Sequence, residues 1–419
     1  MTVRRLEPVD AQMYWMSGAI PNDQFLVYAF DGATDDIDSA LELVLRRARA
    51  RAELAVRIAE GGFWTYPVWE PCQIGADRFE VHRLADPGWS ACLEAVAELA
   101  ERQLDPRSMP WRLHVFGGVE GLPGGGAGVV AVLQISHALG DGNRSSALAA
   151  HLFGRDEPVP NPVASGRRAL SLPLRAAAAA RAHRALVRDT AAGLVPGQGL
   201  SRPALRSNAP PGGERRVRTV VCERGRLAGP TVTVGSLAAV GAALSAHLSE
   251  GGADTSALGA EVPMAKAGPR RANNHFGNVG IGLHPQLPFA PRCRAIAAEL
   301  HQRRRRAAHP AMRAEAAAFA AVPAPLLRWG IAQFDPTVRS DTVTGNTVVS
   351  SVNRGAADLR FGSAPVVLTT GLPGLSPMMG VTHGVHGIGD TIAISVHAAA
   401  SAIGDIDAYV ERLQRELSG

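Results

Sequence analysis

Apolar and polar positions alternate between two periods along the chain, and that switching predicts its elements. Residues 25–30 (Phe-Leu-Val-Tyr-Ala-Phe) form a strong strand candidate. Asp36 stands where a helix cap belongs, before Ile37, Leu41, Val44, Leu45 and Ala48 on one face. Phe79 and Val81 alternate with polar neighbours, as in a half-buried strand. Residues 91–103 read as a helix, 111–116 and 128–135 as two strands joined by a glycine-rich turn, and 145–153 as a short helix.

Pro158, Pro160 and Pro162 then interrupt the pattern, and an Ala/Arg-rich helix is expected over 170–192. Residues 196–213, rich in Pro, Gly and Ser, read as an exposed linker with no apolar face to bury. Beyond it the style repeats. Strands are expected at 217–222, 258–263, 279–283, 348–352, 366–370 and 392–397, and helices at 236–248 and 292–306. Asp405 caps a last helix carrying Ile406, Tyr409, Val410, Leu413 and Leu417 on one face. The prediction is an α/β protein in two halves, 1–195 and 214–419, joined by 196–213.

Composition narrows the function. Of 419 residues, 46% are hydrophobic and 19% charged, which suits a folded chain with a large core. The net charge of +5 is too small for a nucleic-acid protein, and 5% aromatics argues against base stacking. Four scattered cysteines with no paired spacing fit a reducing, cytoplasmic setting. No run reaches the ~20 apolar residues of a bilayer span, so membrane contact is expected to be peripheral at most.

The chemistry concentrates at Ile135-Ser-His-Ala-Leu-Gly-Asp-Gly142. A strand runs into His137, whose imidazole can project into a cleft. Gly142 is read as letting the chain turn sharply behind it. Asp141 can fix the loop or pair with an arginine. Such a fragment also arises as a core histidine beside an ordinary Asp-Gly turn.

The surroundings favour a site. The chain resembles the wax ester synthase/diacylglycerol acyltransferase family, within the CoA-dependent acyltransferases and condensation domains. Ser136-His137-Ala-Leu-Gly-Asp141-Gly142 holds the second His, the Asp and the Gly of the superfamily's HHxxxDG. Pro110-Trp111 resembles the family's PLW segment, Leu6-Glu-Pro-Val-Asp10 its N-terminal L-x-P-L-D, and Val262-Pro263 with Gly277-Asn278 its strand and following GN. There are departures: Ser136 replaces the first His, Thr233-Val234 stands for an ND pair, and Val352-Asn-Arg-Gly355 replaces NVPGP.

The resemblance implies two chloramphenicol-acetyltransferase-like domains, each a mixed sheet flanked by helices, with the site between them. It implies His137 as general base, Asn278 as oxyanion donor, Asp141 and Gly142 as structural, and Trp111 and Ser136 beside the substrate. It implies transfer from an acyl thioester, with acyl-CoA as co-substrate and no further cofactor, to an alcohol acceptor. Two alternatives stand: a condensation-type catalyst using an acyl carrier protein or an amine acceptor, and a non-catalytic binder of the same fold.

Other features have plainer readings. Arg303-Arg-Arg-Arg306 suits a solvated helix end better than a phosphate site. His383 and His386 lack a third ligand at metal spacing, so no metal is expected. The 121–128 glycine run lacks the Lys-Ser/Thr of a phosphate loop, and Ser145 and Ser146 lack a nucleophile-elbow pattern.

Overall fold

The computed structural model describes residues 3–32, 36–163 and 172–418. Two six-stranded mixed sheets carry the molecule. In the first, the spatial order is Arg360–Phe361, Ala364–Leu372, Gln24–Asp31, Gly128–Ile135, Trp111–Val119 and Phe79–His82. In the second it is Phe276–Gly282, Gly259–Ala265, Thr347–Asn353, Val381–Ile388, Thr391–Ala399 and Arg215–Glu223.

The central strands are apolar on both faces because both faces are covered. In Gln24–Asp31, Leu26, Tyr28 and Phe30 enter one core with helices Ile37–Ala50 and Gly142–Leu152. Phe25, Val27 and Ala29 point the other way, into a core shared with helix Trp89–Leu99 and with Val217 and Ala393 of the second sheet. The second sheet packs against Val232–Glu250 and the amphipathic Ile406–Ser418. Val232–Glu250 is the one helix among the described residues long and apolar enough to cross a membrane, and most of it is buried in this core.

Most predicted elements form where the periodicity placed them. The Asp36 carboxylate accepts from the Ser39 amide, and Asp405 accepts from the Ala408 amide, so both caps are as read. The Ala/Arg-rich helix runs Leu172–Ala191, its two predicted leading residues lying outside the described ones. Val381–Ile388 was not anticipated: two His and two Gly in eight residues give no alternation, yet it is wholly buried in mid-sheet.

Two expectations are corrected. Ala364–Leu372 pairs antiparallel with Gln24–Asp31, so the chain beyond 214 lends strands to the first sheet and the halves interlock. The 196–213 segment is exposed along much of its length but is anchored at particular residues, not free throughout. Arg202–Pro203 pairs with Thr342–Val343, and Arg202, Ser207 and Asn208 are buried. Its polar groups find partners that composition does not reveal. Asn208 donates to the Gly345 and Met378 carbonyls and accepts from Asn346. The arginine run serves the same end: Arg303 and Arg306 donate to the Gly197 and Pro196 carbonyls.

Replacing Asn208 by Leu leaves those groups buried and unpaired. Denaturant unfolding of Asn208→Leu is expected to show a loss of at least ~2 kcal/mol. A stability equal to that of the native chain would return 196–213 to the status of a passive tether.

Candidate active site

The strand Gly128–Ile135 delivers Ser136 and His137 into a six-residue loop before helix Gly142–Leu152. The loop is tied at each turn. Arg144 is fully buried and donates to the Leu139 carbonyl, the Pro160 carbonyl and Asn161. Gln24 donates to the Gly140 carbonyl at 2.6 Å. The Ser136 carbonyl accepts from the Leu139 amide.

Across the loop lies residue run 270–275, from the connection between Gly259–Ala265 and Phe276–Gly282. Asp141 joins the two. One of its oxygens accepts from the Arg144 amide, capping the helix, and the other accepts from the His275 amide at 2.8 Å. Arg270 pairs with it at 2.9 Å. All this holds the carboxylate in the loop's frame.

His137 Nδ1 lies 2.8 Å from Asn274 Oδ1. The amide orientation of Asn274 is set by its other contacts. Its Nδ2 donates to the His137 carbonyl at 2.8 Å and to the Asp10 carboxylate at 2.9 Å, both of which only accept. Oδ1 must therefore face the imidazole, and Nδ1 must carry the proton. That leaves Nε2 with its lone pair free for a partner. Burial holds the His137 pKa below the ordinary histidine value, so the ring is neutral at pH 7. Phe276 stacks on it, with ring centroids 5.5 Å apart.

Asp10 anchors this arrangement from the N-terminal helix Pro8–Met16. It accepts from the backbone amides of Asn273 and Asn274 and from the Asn274 side chain, each at 2.9 Å. Burial raises its pKa to about 6 against these hydrogen bonds. Asn274, Arg144 and Arg270 carry no signal in the sequence. An Asn-Asn pair between strands reads as a turn, and only the folded chain brings it to His137.

His137 opens into a channel of about 750 Å³ between the two sheets, within the size range of small-molecule sites. Asp141, Gly142, Phe276, Asn278 and Ser351 share the lining. A cavity of about 220 Å³ adjoins it at Ile20, Asp23 and Leu372. Asn278 is in the channel as expected, but one of its amide protons goes to Glu261 at 3.2 Å. Thr233, where the ND pair was sought, donates to Ser351 at 2.9 Å.

Three site expectations are corrected. Trp111 has no exposed surface; it sits in the first core and donates to the Leu54 carbonyl at 2.9 Å. Ser136 is buried within the loop, where its hydroxyl accepts from the Ala138 amide, and it does not line the channel. Gly142 makes no left-handed turn; it is the first residue of its helix. A Cβ there would stand at an ordinary contact distance of 3.5 Å from Val352, so neither backbone nor clearance calls for a glycine.

His383 and His386 point to opposite faces of their strand, three residues apart, and cannot share an ion. His383 is satisfied by Thr347 and Tyr409. A metal-sized cluster lies elsewhere: Glu80, His82 and His114 bring ligand atoms within 4.8 Å of one another. In it His82 and His114 hydrogen-bond at 2.9 Å and Arg112 holds Glu80.

Residues 65–244 match the family model for the wax ester synthase/diacylglycerol acyltransferase catalytic domain, which bears out the resemblance read from the motifs. No curated protein matches the chain in sequence. Among solved structures, the wax ester synthase/diacylglycerol acyltransferase from Marinobacter aquaeolei VT8 is 16% identical, with a TM-score of 0.66 over 99% of this chain and 98% of that one. A variant starter condensation domain of rhizomide synthetase RzmA, in complex with C8-CoA and Leu-SNAC, is 13% identical, with a TM-score of 0.61 over 100% and 94%. At these identities the likeness is one of fold, and it is the chloramphenicol-acetyltransferase-like fold expected from the sequence.

The raised pKa of Asp10 has a sign. A carboxyl that binds its proton more tightly folded than unfolded stabilises the fold fully below its unfolded pKa near 4. That contribution is lost as pH rises through about 6. Unfolding free energies of the native chain and Asp10→Asn, measured from pH 4 to 7.5, should diverge in slope. Asp10 accounts for ~2–3 kcal/mol across that range. Parallel slopes would show that no buried charge titrates there.

Proposed function

We propose that the chain is an acyltransferase that moves an acyl group from an acyl thioester, acyl-CoA in the simplest case, to an alcohol acceptor. The observation that carries this is the fixed tautomer of His137. With Nδ1–H held by Asn274, Nε2 is a ready proton acceptor in a channel large enough for both substrates.

The chemistry needs one base and no further cofactor, because the thioester is already activated. Nε2 takes the acceptor hydroxyl proton as its oxygen attacks the thioester carbonyl carbon. The carbonyl becomes an oxyanion, and the second amide proton of Asn278 is the donor we assign to it. The tetrahedral intermediate then collapses, the C–S bond breaks, and the leaving thiolate recovers the proton from the imidazolium. Asn274 keeps the ring oriented throughout, and Asp141 keeps the loop in place.

A second reading, amide formation with an aminoacyl acceptor or a carrier-bound donor, is favoured by one fact: the RzmA domain named above was solved with C8-CoA and Leu-SNAC. Turnover of octanoyl-CoA with thiol detection, against 1-octanol and against leucine thioesters, separates the two.

His137→Ala should stay folded and lose at least the ~10²–10⁴ in rate that a positioned base supplies. Its full retention of transfer would end the proposal. In the native enzyme the acid limb of kcat/KM should lie below pH 6.5, since burial depresses the His137 pKa. Asp141→Ala strands Arg270 in a buried pair and should cost ~3–5 kcal/mol in stability. A variant that folds normally but is inactive would place Asp141 in the chemistry. Asn278→Ala should lower kcat by ~10²-fold; an unchanged kcat removes it as the oxyanion donor.

A further inference from the structure

Arg354 ends the strand Thr347–Asn353 and turns into the channel between the sheets. Among the described residues it is the one arginine or lysine that lines this channel. Its side chain is buried, with 5% of the residue exposed. The other arginines near the site are satisfied: the buried Arg144 by carbonyls and Asn161, the partly buried Arg270 by Asp141. Arg354 is not. It donates to the Thr369 hydroxyl and lies over the Tyr28 ring at 4.9 Å. Its Nε is buried without a partner, and among the described residues no carboxylate pairs with it.

His386 lines the channel at the same place and has a buried, unpartnered Nδ1. Gly371 separates the two: a Cβ there would stand 3.0 Å from Arg354 Nη2 and 3.2 Å from His386 Cε1. Burial and the nearby guanidinium hold His386 well below the ordinary histidine pKa, so it stays neutral and can donate. A buried cation with no counter-ion is costly, and a ligand that brings the negative charge relieves that cost.

We infer that Arg354 and His386 form a carboxylate-recognition subsite in the channel, and that one of the two substrates carries a free carboxylate away from its reacting group. A planar carboxylate matches a guanidinium fork. A phosphate dianion would call for a second fixed cation, which the lining does not supply. The substrate assignment rests on the acyltransferase reading; the binding site itself does not.

The two are separated by measuring binding apart from turnover. Isothermal titration with hexanoate and with hexanamide is made on the full chain and on His137→Ala, which removes the base and leaves the subsite. Both proteins should prefer hexanoate by about tenfold or more. Arg354→Lys should keep part of the preference and Arg354→Met should abolish it, with Arg354→Gln as the neutral variant if the Met form does not fold. Equal affinities for the two probes, or a preference that survives loss of the guanidinium, overturns the subsite. Turnover then assigns the carboxylate. Faster transfer from glutaryl-CoA than from pentanoyl-CoA places it on the donor, and faster transfer to 4-hydroxybutanoate than to 1-butanol places it on the acceptor. Turnover indifferent to both pairs overturns the substrate assignment. Absence of turnover with every pair sinks the acyltransferase reading while leaving the binding result to stand or fall alone.

Discussion

The buried Asp10 carboxylate is the constraint on which the site depends. It accepts three hydrogen bonds from Asn273 and Asn274, residues more than 260 positions away. Those bonds fix the Asn274 amide, the amide fixes the imidazole tautomer, and the tautomer leaves Nε2 free. Burying a carboxylate is unfavourable, as its raised pKa records. The charge is tolerated because three donors converge on it, and the return is a histidine held in one orientation.

A second carboxylate does parallel work from the other side. Asp141 caps the helix after the loop, takes the His275 amide and pairs with Arg270. The two acidic residues therefore grip the 270–275 run from the N-terminal helix and from the loop. The joint belongs to both halves of the chain, and neither half could form it alone. The crossing of Ala364–Leu372 into the first sheet adds a second such tie and closes one side of the channel.

The channel's polarity is uneven in a way that suits a reaction with two substrates. Near His137 the polar groups are engaged with one another, which presents a neutral imidazole and few competing charges. At Arg354 and His386 one nitrogen each, Nε and Nδ1, is left unengaged. Rigid, satisfied groups orient the chemistry; unsatisfied ones await a ligand. The 196–213 segment, stitched down by Asn208 and the arginines of Phe289–Ala307, supports the second sheet behind the channel.

Local physics was legible in the sequence. Most strands buried on both faces announced themselves as apolar runs, Val381–Ile388 excepted, the Asp36 and Asp405 caps stood where a side chain can reach its own helix amides, and His137 sat between a strand and a helix. These depend on neighbours within a few residues. The motif at Asp10 could be seen but not understood, because its partners are remote. Trp111 and Ser136 were misplaced for the same reason: which face of a strand or loop meets solvent depends on what packs against it. Gly142 shows the limit at a single residue: a glycine after Asp reads as a turn, yet it starts a helix without a left-handed backbone. Sequence determined the elements and the residue that could act as base. Tertiary structure alone decided its tautomer, its partners and the charge left unpaired in its channel, because hydrogen bonds and desolvation are set by atoms that the chain brings together only when it folds.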